Sequence, residues 1–217
     1  GEPALQWIAD LRQEFNIPFC VEVADEAQLM LALKYNVDVI WIGARTSVNP
    51  FLVQHLADAL QGVQIPVMIK NPVNPDVDLW SGAIERIARA GIREIAAVHR
   101  GFSTYDPVPI YRNAPNWAIP IELKRRYPHI PLFCDPSHIS GKSSLVPKVA
   151  QRAMDLDFDG LMIEVHPDPG QALSDAAQQL SLNDMHLLWQ QLVIRQASNT
   201  AAQDEIDEIR MQLDALD

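Results

Sequence analysis

The chain has 217 residues, of which 48% are hydrophobic and 21% are charged, and its formal net charge is −11. This composition predicts one soluble globular domain with a full apolar core, and the negative charge argues against nucleic acid and anionic membranes as partners. The sequence contains neither a signal peptide nor an apolar run of membrane-spanning length, about 18 residues, so a cytoplasmic location is expected. Cys20 and Cys134 lie in apolar runs and are predicted to be buried thiols rather than a disulfide.

Short apolar runs alternate with amphipathic segments along most of the chain. After a first helix at 4–15, the runs rich in Val, Ile and Leu predict six strands separated by helices. Runs without strict alternation are typical of strands buried on both faces of a parallel sheet, so the repeated strand–helix units predict an α/β fold. The predicted strands are 18–23, 37–42, 65–69, 94–98, 130–134 and 160–165, and the predicted helices are 25–35, 50–60, 79–90, 119–127 and 145–156.

Polar or charged residues end each predicted strand. A TIM (β/α)8 barrel gathers the carboxyl ends of its strands on one face, where its active site lies, whereas a doubly wound sheet spreads them along an edge. The first strand is not followed by a Gly-rich dinucleotide-binding loop. We therefore predict a TIM barrel of which this chain shows about six strand–helix units, strands three to eight. The strand-end residues are Glu22, Arg45, Lys70, Arg100, His138 and Glu164.

Three residues late in the chain form a candidate metal site. His138 ends an Asp-Pro-Ser-His turn, Glu164 follows a buried apolar run, and Asp175 ends a Leu-Ser-Asp turn. One imidazole and two carboxylates suit a divalent cation such as Mn, Fe, Co or Zn. Taken singly, His138 is also explained as a hydrogen-bonding residue and Asp175 as a helix N-cap, whereas the carboxylate after a buried run is costly unless it is paired or bound to a metal.

Cationic side chains follow three consecutive predicted strands. Arg45, Lys70 and Arg100 are each explained equally well by a salt bridge at the rim of a barrel. Together they predict a cationic pocket for phosphate and carboxylate groups, with Glu22 orienting the bases or relaying a proton. Such a pocket beside a divalent cation suits a small, doubly anionic substrate and a polarised carbonyl on its partner. Carbon–carbon bond formation with a phosphorylated enol and metal-assisted phosphate hydrolysis both fit these residues.

The end of the chain differs in character from the rest. Residues 196–203 are small and polar and predict a linker between a domain at 1–195 and a helix at 204–217. Ile206, Ile209, Leu213 and Leu216 recur at helical spacing and form one apolar stripe, as in a surface or coiled helix.

Several segments resemble 3-deoxy-D-arabino-heptulosonate 7-phosphate (DAHP) synthase. They are Trp-Ile-Gly-Ala-Arg at 41–45, His-Arg-Gly at 99–101, Asp-Pro-Ser-His at 135–138, Ile-Glu-Val-His-Pro-Asp-Pro at 163–169 and Ala-Leu-Ser-Asp at 172–175. Residues 206–217 resemble the opening of the first helix of an all-helical chorismate mutase. The whole chain resembles the synthase part of a bifunctional DAHP synthase–chorismate mutase.

The resemblance implies a TIM barrel that condenses phosphoenolpyruvate with erythrose 4-phosphate, the first step of the shikimate pathway, and a homo-oligomer formed through barrel and mutase helices. It implies that His138, Glu164 and Asp175 bind the metal. The residues that it implies for phosphoenolpyruvate are Ala44, Arg45, Lys70 and Arg100, and those near the sugar phosphate are Asp135 and Ser137. The predicted catalytic residues are Lys70, His138 and Glu22, and Arg210 matches a position that contacts chorismate.

Two motifs of the family are missing from the sequence: a Gly-Pro-Cys turn that supplies a fourth metal ligand and a Lys-Pro-Arg-Thr segment that contacts both substrates. We therefore expect the chain by itself to lack synthase activity, and its two exposed barrel edges to favour association or instability. Three other interpretations remain open. They are a 3-deoxy-octulosonate 8-phosphate synthase, an inactive regulatory or interaction domain, and an unrelated metal-dependent phosphatase barrel.

Overall fold

The computed structural model describes residues 1–105, 110–194 and 200–214, which form two compact units, Gly1–Ala97 and Val98–Asp217. The strands are β1 (Cys20–Glu22), β2 (Val39–Ile42), β3 (Val67–Lys70), β4 (Ile95–His99), β5 (Leu132–Cys134) and β6 (Gly160–Leu161). The helices are α1 (Glu2–Phe15), α2 (Glu26–Lys34), α3 (Ala44–Ser47), α4 (Pro50–Ala59), α5 (Val77–Arg89), α6 (Ala118–Arg126), α7 (Pro136–Ser140), α8 (Val146–Asp155), α9 (Leu182–Gln191) and α10 (Thr200–Asp214).

Parallel strands in chain order build the first unit. β1 pairs with β2 and β2 pairs with β3, with Ile40 opposite Val67, and β3 adjoins the start of β4. α4 packs against α5, and Trp80 of α5 is fully buried while its indole N–H donates to the carbonyl of Ile69 at 3.2 Å. Helices between parallel strands confirm the predicted α/β class and place the carboxyl ends of β1 to β3 at one edge of this unit.

The second unit continues the same pattern. The backbone N–H of Asp135, directly after β5, donates to the carbonyl of His99 at the end of β4 at 2.7 Å, and β5 pairs in parallel with β6. Its core includes a buried cluster to which α8, α9 and the segment after β6 contribute. The cluster consists of Val146, Ala150, Leu180 and Leu188, with Leu161, Ile163, Met185 and Leu192 packed against it.

Local capping signals determine where several helices begin. The Asp25 side chain accepts from the N–H of Gln28 at the start of α2, and Asp135 accepts from the N–H of His138 at the start of α7. Each side chain satisfies a backbone donor that the helix itself leaves unpaired. In α7 a proline at the first position and Gly141 in the left-handed region at the end confine the helix to five residues.

Two sequence predictions about strands and cysteines are wrong in part. The sixth strand was predicted at 160–165, but β6 ends at Leu161, so Glu164 lies in an irregular segment that forms a single bridge, Val165 to Leu180. Cys134 is buried as predicted, and burial raises the pKa of its thiol well above the ordinary value. Cys20 is exposed, because β1 has only β2 as a paired neighbour in the described part of the chain.

Helices near the carboxyl end also differ from expectation. α9 was not predicted, although Ser181 is a helix-start signal and its hydroxyl accepts from the N–H of Asp184. α10 begins at Thr200, inside the predicted linker, while 195–199 and 215–217 lie outside the described residues. α10 lies against α6 and buries Ile206, which confirms a partner for part of the predicted stripe.

In the described part of the chain, none of the helices has both the length and the apolar character that crossing a membrane requires.

Candidate metal centre

His138, Glu164 and Asp175 come together in the second unit. One ligand atom from each lies within 4.8 Å of the others. Nδ1 of His138 is 3.5 Å from Oε1 of Glu164, and Nε2 is 3.9 Å from Oδ2 of Asp175. The three side chains are 19%, 27% and 29% exposed, so they are reached from solvent yet partly shielded from it. The structure therefore brings the sequence-predicted triad to one place.

Two residues of the Asp-Pro-Ser-His turn, Asp135 and Ser137, contact members of this cluster. Oδ2 of Asp135 lies 2.8 Å from Nδ1 of His138, and Asp135 is almost fully buried. The buried hydroxyl of Ser137 accepts from the N–H of Glu164 at 3.0 Å. The carbonyl of Glu164 accepts from Leu180 at 3.0 Å, so the segment is fixed on both sides although it is not a strand. Asp135 and Ser137 thus orient two of the three cluster residues.

Asp175 stands at the N-cap position that the sequence also allowed, but its side chain makes no capping hydrogen bond. It precedes a 3-10 turn at Ala176–Gln178, but its side chain does not cap that turn. Its backbone is in the left-handed region, with φ of 52°, a conformation that Asp tolerates better than most residues. Instead, Oδ1 of Asp175 lies 2.6 Å from the Nη1 of Arg112. The carboxylate is therefore held towards the cluster and away from its own turn.

The donor set fits a divalent cation. One imidazole nitrogen and two carboxylate oxygens form a mixed site that Mn, Fe, Co and Zn accept. The carboxylate oxygens that face His138 are Oε1 of Glu164 and Oδ2 of Asp175, and the opposite oxygens of both groups contact protein donors. Arg112 and Gln178 provide those donors. Sequence reasoning missed both residues, because a lone Arg in an irregular loop and a Gln in a turn carry no signal of their own.

Predicted substrate-binding residues of the first unit lie at the ends of its strands. Lys70 ends β3, is buried, and places its ammonium 4.2 Å from the ring centroid of Trp41. Ala44 and Arg45 begin α3 directly after β2, and Arg45 is exposed. The Glu22 carboxylate lies so close to Gly43 that a β-carbon there would collide with it.

Arg100 is the predicted substrate-binding cation that lies in the second unit. Its Nη1 donates to Oδ1 of Asn113 at 2.8 Å. A β-carbon on the intervening Gly101, which has φ of +77°, would lie 2.8 Å from that of Asn113, so glycine is required both by the turn and by this contact. The amide of Asn113 also donates to the carbonyl of His138 at 2.7 Å. Arg100 is thereby linked through one side chain to the turn that carries the candidate metal ligand.

His99 lies fully buried among aromatic rings at the end of β4. Its ring centroid is 5.6 Å from that of Phe102, 5.3 Å from that of Trp117 and 6.1 Å from that of Phe158. Burial lowers the pKa of the His99 imidazole to about 3, and the charge of Arg100 acts in the same direction.

We expect the His99 ring to remain neutral from pH 5 to pH 8. Because its folded-state pKa lies below the unfolded value of roughly 6.5, its contribution to stability is complete above that value and is lost as the pH falls towards 3. The measurement is a histidine ring NMR titration, with the His99 signals assigned by their absence in His99→Phe. A His99 transition near pH 6.5 would contradict the buried ring.

The His–Glu–Asp cluster after the strands of this parallel α/β chain is a ligand set of the kind that metal-dependent enzymes use. Residues 1–197 match the model of the DAHP synthetase I family, which covers most of the chain. The chain belongs to that family.

Known relatives agree with this assignment. Phospho-2-dehydro-3-deoxyheptonate aldolase of Thermotoga maritima is 29% identical over 180 residues, which are 83% of this chain and 51% of the relative. The chain thus spans about half the length of that relative. 2-Dehydro-3-deoxyphosphooctonate aldolase of Desulfotalea psychrophila is 26% identical over 201 residues, which cover 86% of this chain and 66% of the relative.

Solved structures show the same likeness. A truncated 3-deoxy-D-arabino-heptulosonate 7-phosphate synthase from Thermotoga maritima matches with a TM-score of 0.77 and 26% identity, covering all of this chain and 73% of the other. A crystal structure of phospho-2-dehydro-3-deoxyheptonate aldolase (DAHP synthase) from the same organism matches with a TM-score of 0.78 and 28% identity, covering 88% and 54%.

Proposed function

We propose that this protein serves the condensation of phosphoenolpyruvate with erythrose 4-phosphate to DAHP and phosphate, the first step of the shikimate pathway. The observation that carries the proposal is the meeting of His138, Glu164 and Asp175 in a chain of the DAHP synthetase I family. A condensation of this kind needs an electrophilic carbonyl and stabilisation of developing negative charge.

The three cluster residues would hold a divalent cation, with Mn, Fe, Co and Zn as candidates. Bound there, the cation supplies Lewis acidity that polarises a carbonyl oxygen. Asp135 and Ser137 support the site by contacting His138 and Glu164, and their contacts with the sugar phosphate stay predictions.

The strand-end cations are proposed to bind phosphoenolpyruvate. In the first unit these groups are Lys70 and Arg45 with the backbone of Ala44, and in the second unit the group is Arg100. Lys70 is suited to this role because a buried ammonium placed at a strand end gains most from an anionic ligand. Lys70 and His138 are the proposed catalytic residues, and Glu22 is the proposed proton relay.

Several wider features belong to the same proposal. The six strands would be strands three to eight of a TIM barrel, the protein would be a cytoplasmic homo-oligomer, and α10 would be the first helix of a chorismate mutase-like region. Support for the last point is that the family match stops at residue 197, just before α10 begins. Arg210, the proposed chorismate contact, lies on α10 with its Nη1 3.5 Å from Asp207.

Binding of phosphoenolpyruvate by this chain tests the proposal directly. We expect titration calorimetry to detect binding, and Lys70→Met to weaken it by roughly 10- to 100-fold, the equivalent of one charged hydrogen bond. Methionine keeps most of the packing against Trp41 while it removes the charge. Lys148→Met, which removes an exposed ammonium on α8, is the matched control and should bind as the wild type does. Wild-type protein that does not bind phosphoenolpyruvate would refute the proposal.

The similarity to 2-dehydro-3-deoxyphosphooctonate aldolase supports a second candidate function. This function is the condensation of phosphoenolpyruvate with a longer aldose phosphate. Calorimetric binding of erythrose 4-phosphate in competition with longer aldose phosphates, in the presence of phosphoenolpyruvate, separates the two. Preference for a longer sugar would favour the second candidate, and phosphate release without any aldose would favour a phosphatase.

A further inference from the structure

Arg112 and Gln178 join the two carboxylates of the candidate metal centre. The Nη1 of Arg112 donates to Oδ1 of Asp175 at 2.6 Å and to Oε1 of Gln178 at 2.7 Å. The Nε2 of Gln178 then donates to Oε2 of Glu164 at 2.9 Å. A single chain of hydrogen bonds therefore runs from one carboxylate to the other through these two side chains.

These hydrogen bonds leave the two oxygens of each carboxylate in different surroundings. One oxygen of Asp175 and one of Glu164 accept from Arg112 and Gln178, while the other oxygens, Oδ2 and Oε1, face the imidazole of His138. The amide of Gln178 can satisfy both neighbours only when its oxygen points to Arg112 and its nitrogen to Glu164. Arg112 thus determines the orientation of Gln178 as well as that of Asp175.

Both side chains are themselves held in place. Gln178 is 1% exposed, and its N–H donates to the carbonyl of Asp175 at 3.0 Å. The N–H of Arg112 contacts the carbonyl of Ser140 at 3.4 Å. The side chain of Arg112 also occupies the space that a β-carbon on Gly141 would need. A buried amide and a backbone-anchored arginine suit a role in positioning other groups.

We propose that Arg112 and Gln178 are positioning residues that orient Asp175 and Glu164 for divalent-cation binding. This inference rests on the metal site of the proposed function and adds the residues that control its affinity. Neither residue is one of the three cluster ligands. They act through the carboxylates, as outer partners of metal ligands generally do.

Whether metal affinity rises or falls in the variants distinguishes an effect of orientation from an effect of charge. On Coulomb's law alone, removing a cation beside Asp175 would strengthen the attraction for a metal ion. Arg112→Lys keeps the positive charge but loses the planar, multi-donor group that reaches both partners. Gln178→Met keeps the volume and changes no charge. A loss of affinity in both variants therefore reports orientation.

The experiment measures Mn²⁺ affinity by titration calorimetry and the visible spectrum of the Co²⁺-loaded protein, with the 217-residue chain. Each variant is expected to bind Mn²⁺ roughly 10- to 100-fold more weakly and to change the Co²⁺ spectrum. The matched control is Arg12→Lys. Arg12 also lies 2.6 Å from a carboxylate, that of Asp38, with 40% of its side chain exposed against 43% for Arg112, and it also donates to a second acceptor, the carbonyl of Asn36.

The melting temperature of the metal-free protein distinguishes a purely structural role of Arg112 and Gln178 from a role in metal binding. Variants that melt earlier without metal but keep wild-type Mn²⁺ affinity and Co²⁺ spectrum would overturn the inference while leaving the metal site intact. Wild-type protein that binds neither ion would overturn the metal site, and this inference with it. Weaker binding in Arg112→Lys and Gln178→Met, with unchanged binding in Arg12→Lys, supports it.

Discussion

Replacement of His138 by alanine is expected to reduce divalent-cation affinity by more than about 100-fold, since loss of an outer partner alone costs about 10- to 100-fold. The substitution removes the nitrogen donor and leaves two carboxylates facing each other. Because the backbone N–H of His138 still donates to Asp135, α7 should still form. Titration calorimetry with Mn²⁺ measures the affinity.

A thermal shift provides a second readout of the same substitution. A metal that binds only the folded state stabilises it, by about 2.7 kcal/mol at a concentration 100 times its dissociation constant. We expect Mn²⁺ to raise the melting temperature of the wild type and to leave that of His138→Ala unchanged. His186→Ala removes an exposed imidazole on α9 and should respond as the wild type does. An equal shift in His138→Ala would exclude His138 as a ligand.

Replacement of Gly141 by alanine is expected to destabilise the protein by roughly 2–5 kcal/mol. Part of this, about 1–2 kcal/mol, comes from a left-handed backbone with φ of +66°. The remainder, about 1–3 kcal/mol, comes from overpacking, because the new methyl group would collide with the Arg112 side chain. Denaturant unfolding measures the change.

Gly62→Ala separates the two contributions. Gly62 has φ of +79°, and nothing lies within 4 Å of a β-carbon at that position, so only the backbone cost of about 1–2 kcal/mol applies. We expect Gly141→Ala to be the more destabilised of the two variants. Equal losses of stability would mean that Arg112 moves aside at little cost, and the close packing that we describe would then not constrain it.

Much of the fold could be predicted from the chain alone. All six strands lie within or next to the predicted ranges, because apolar runs bounded by polar residues report burial directly. The error at the sixth strand has a physical cause. Apolar residues 161–163 suggested a continuing strand, but the N–H of Glu164 bonds to Ser137 and its carbonyl to Leu180, which ends regular pairing after Leu161.

The sequence predicted the three candidate ligands of the site but not the residues that contact them, Arg112 and Gln178. His138, Glu164 and Asp175 carry chemistry that is visible in their residue types and in the turns around them. Arg112 meets Asp175 across 63 residues of sequence, and Gln178 meets Glu164 across 14. No local pattern indicates such a pairing.

The sequence by itself determined the α/β class, the helix start at Asp25 and the residue types available to a metal ion, because periodicity and capping depend on neighbours within a few positions. The tertiary structure alone decided that Cys20 is exposed and which oxygens of Glu164 and Asp175 face His138. Those outcomes depend on contacts between segments distant in sequence, and such contacts exist only once the chain has folded.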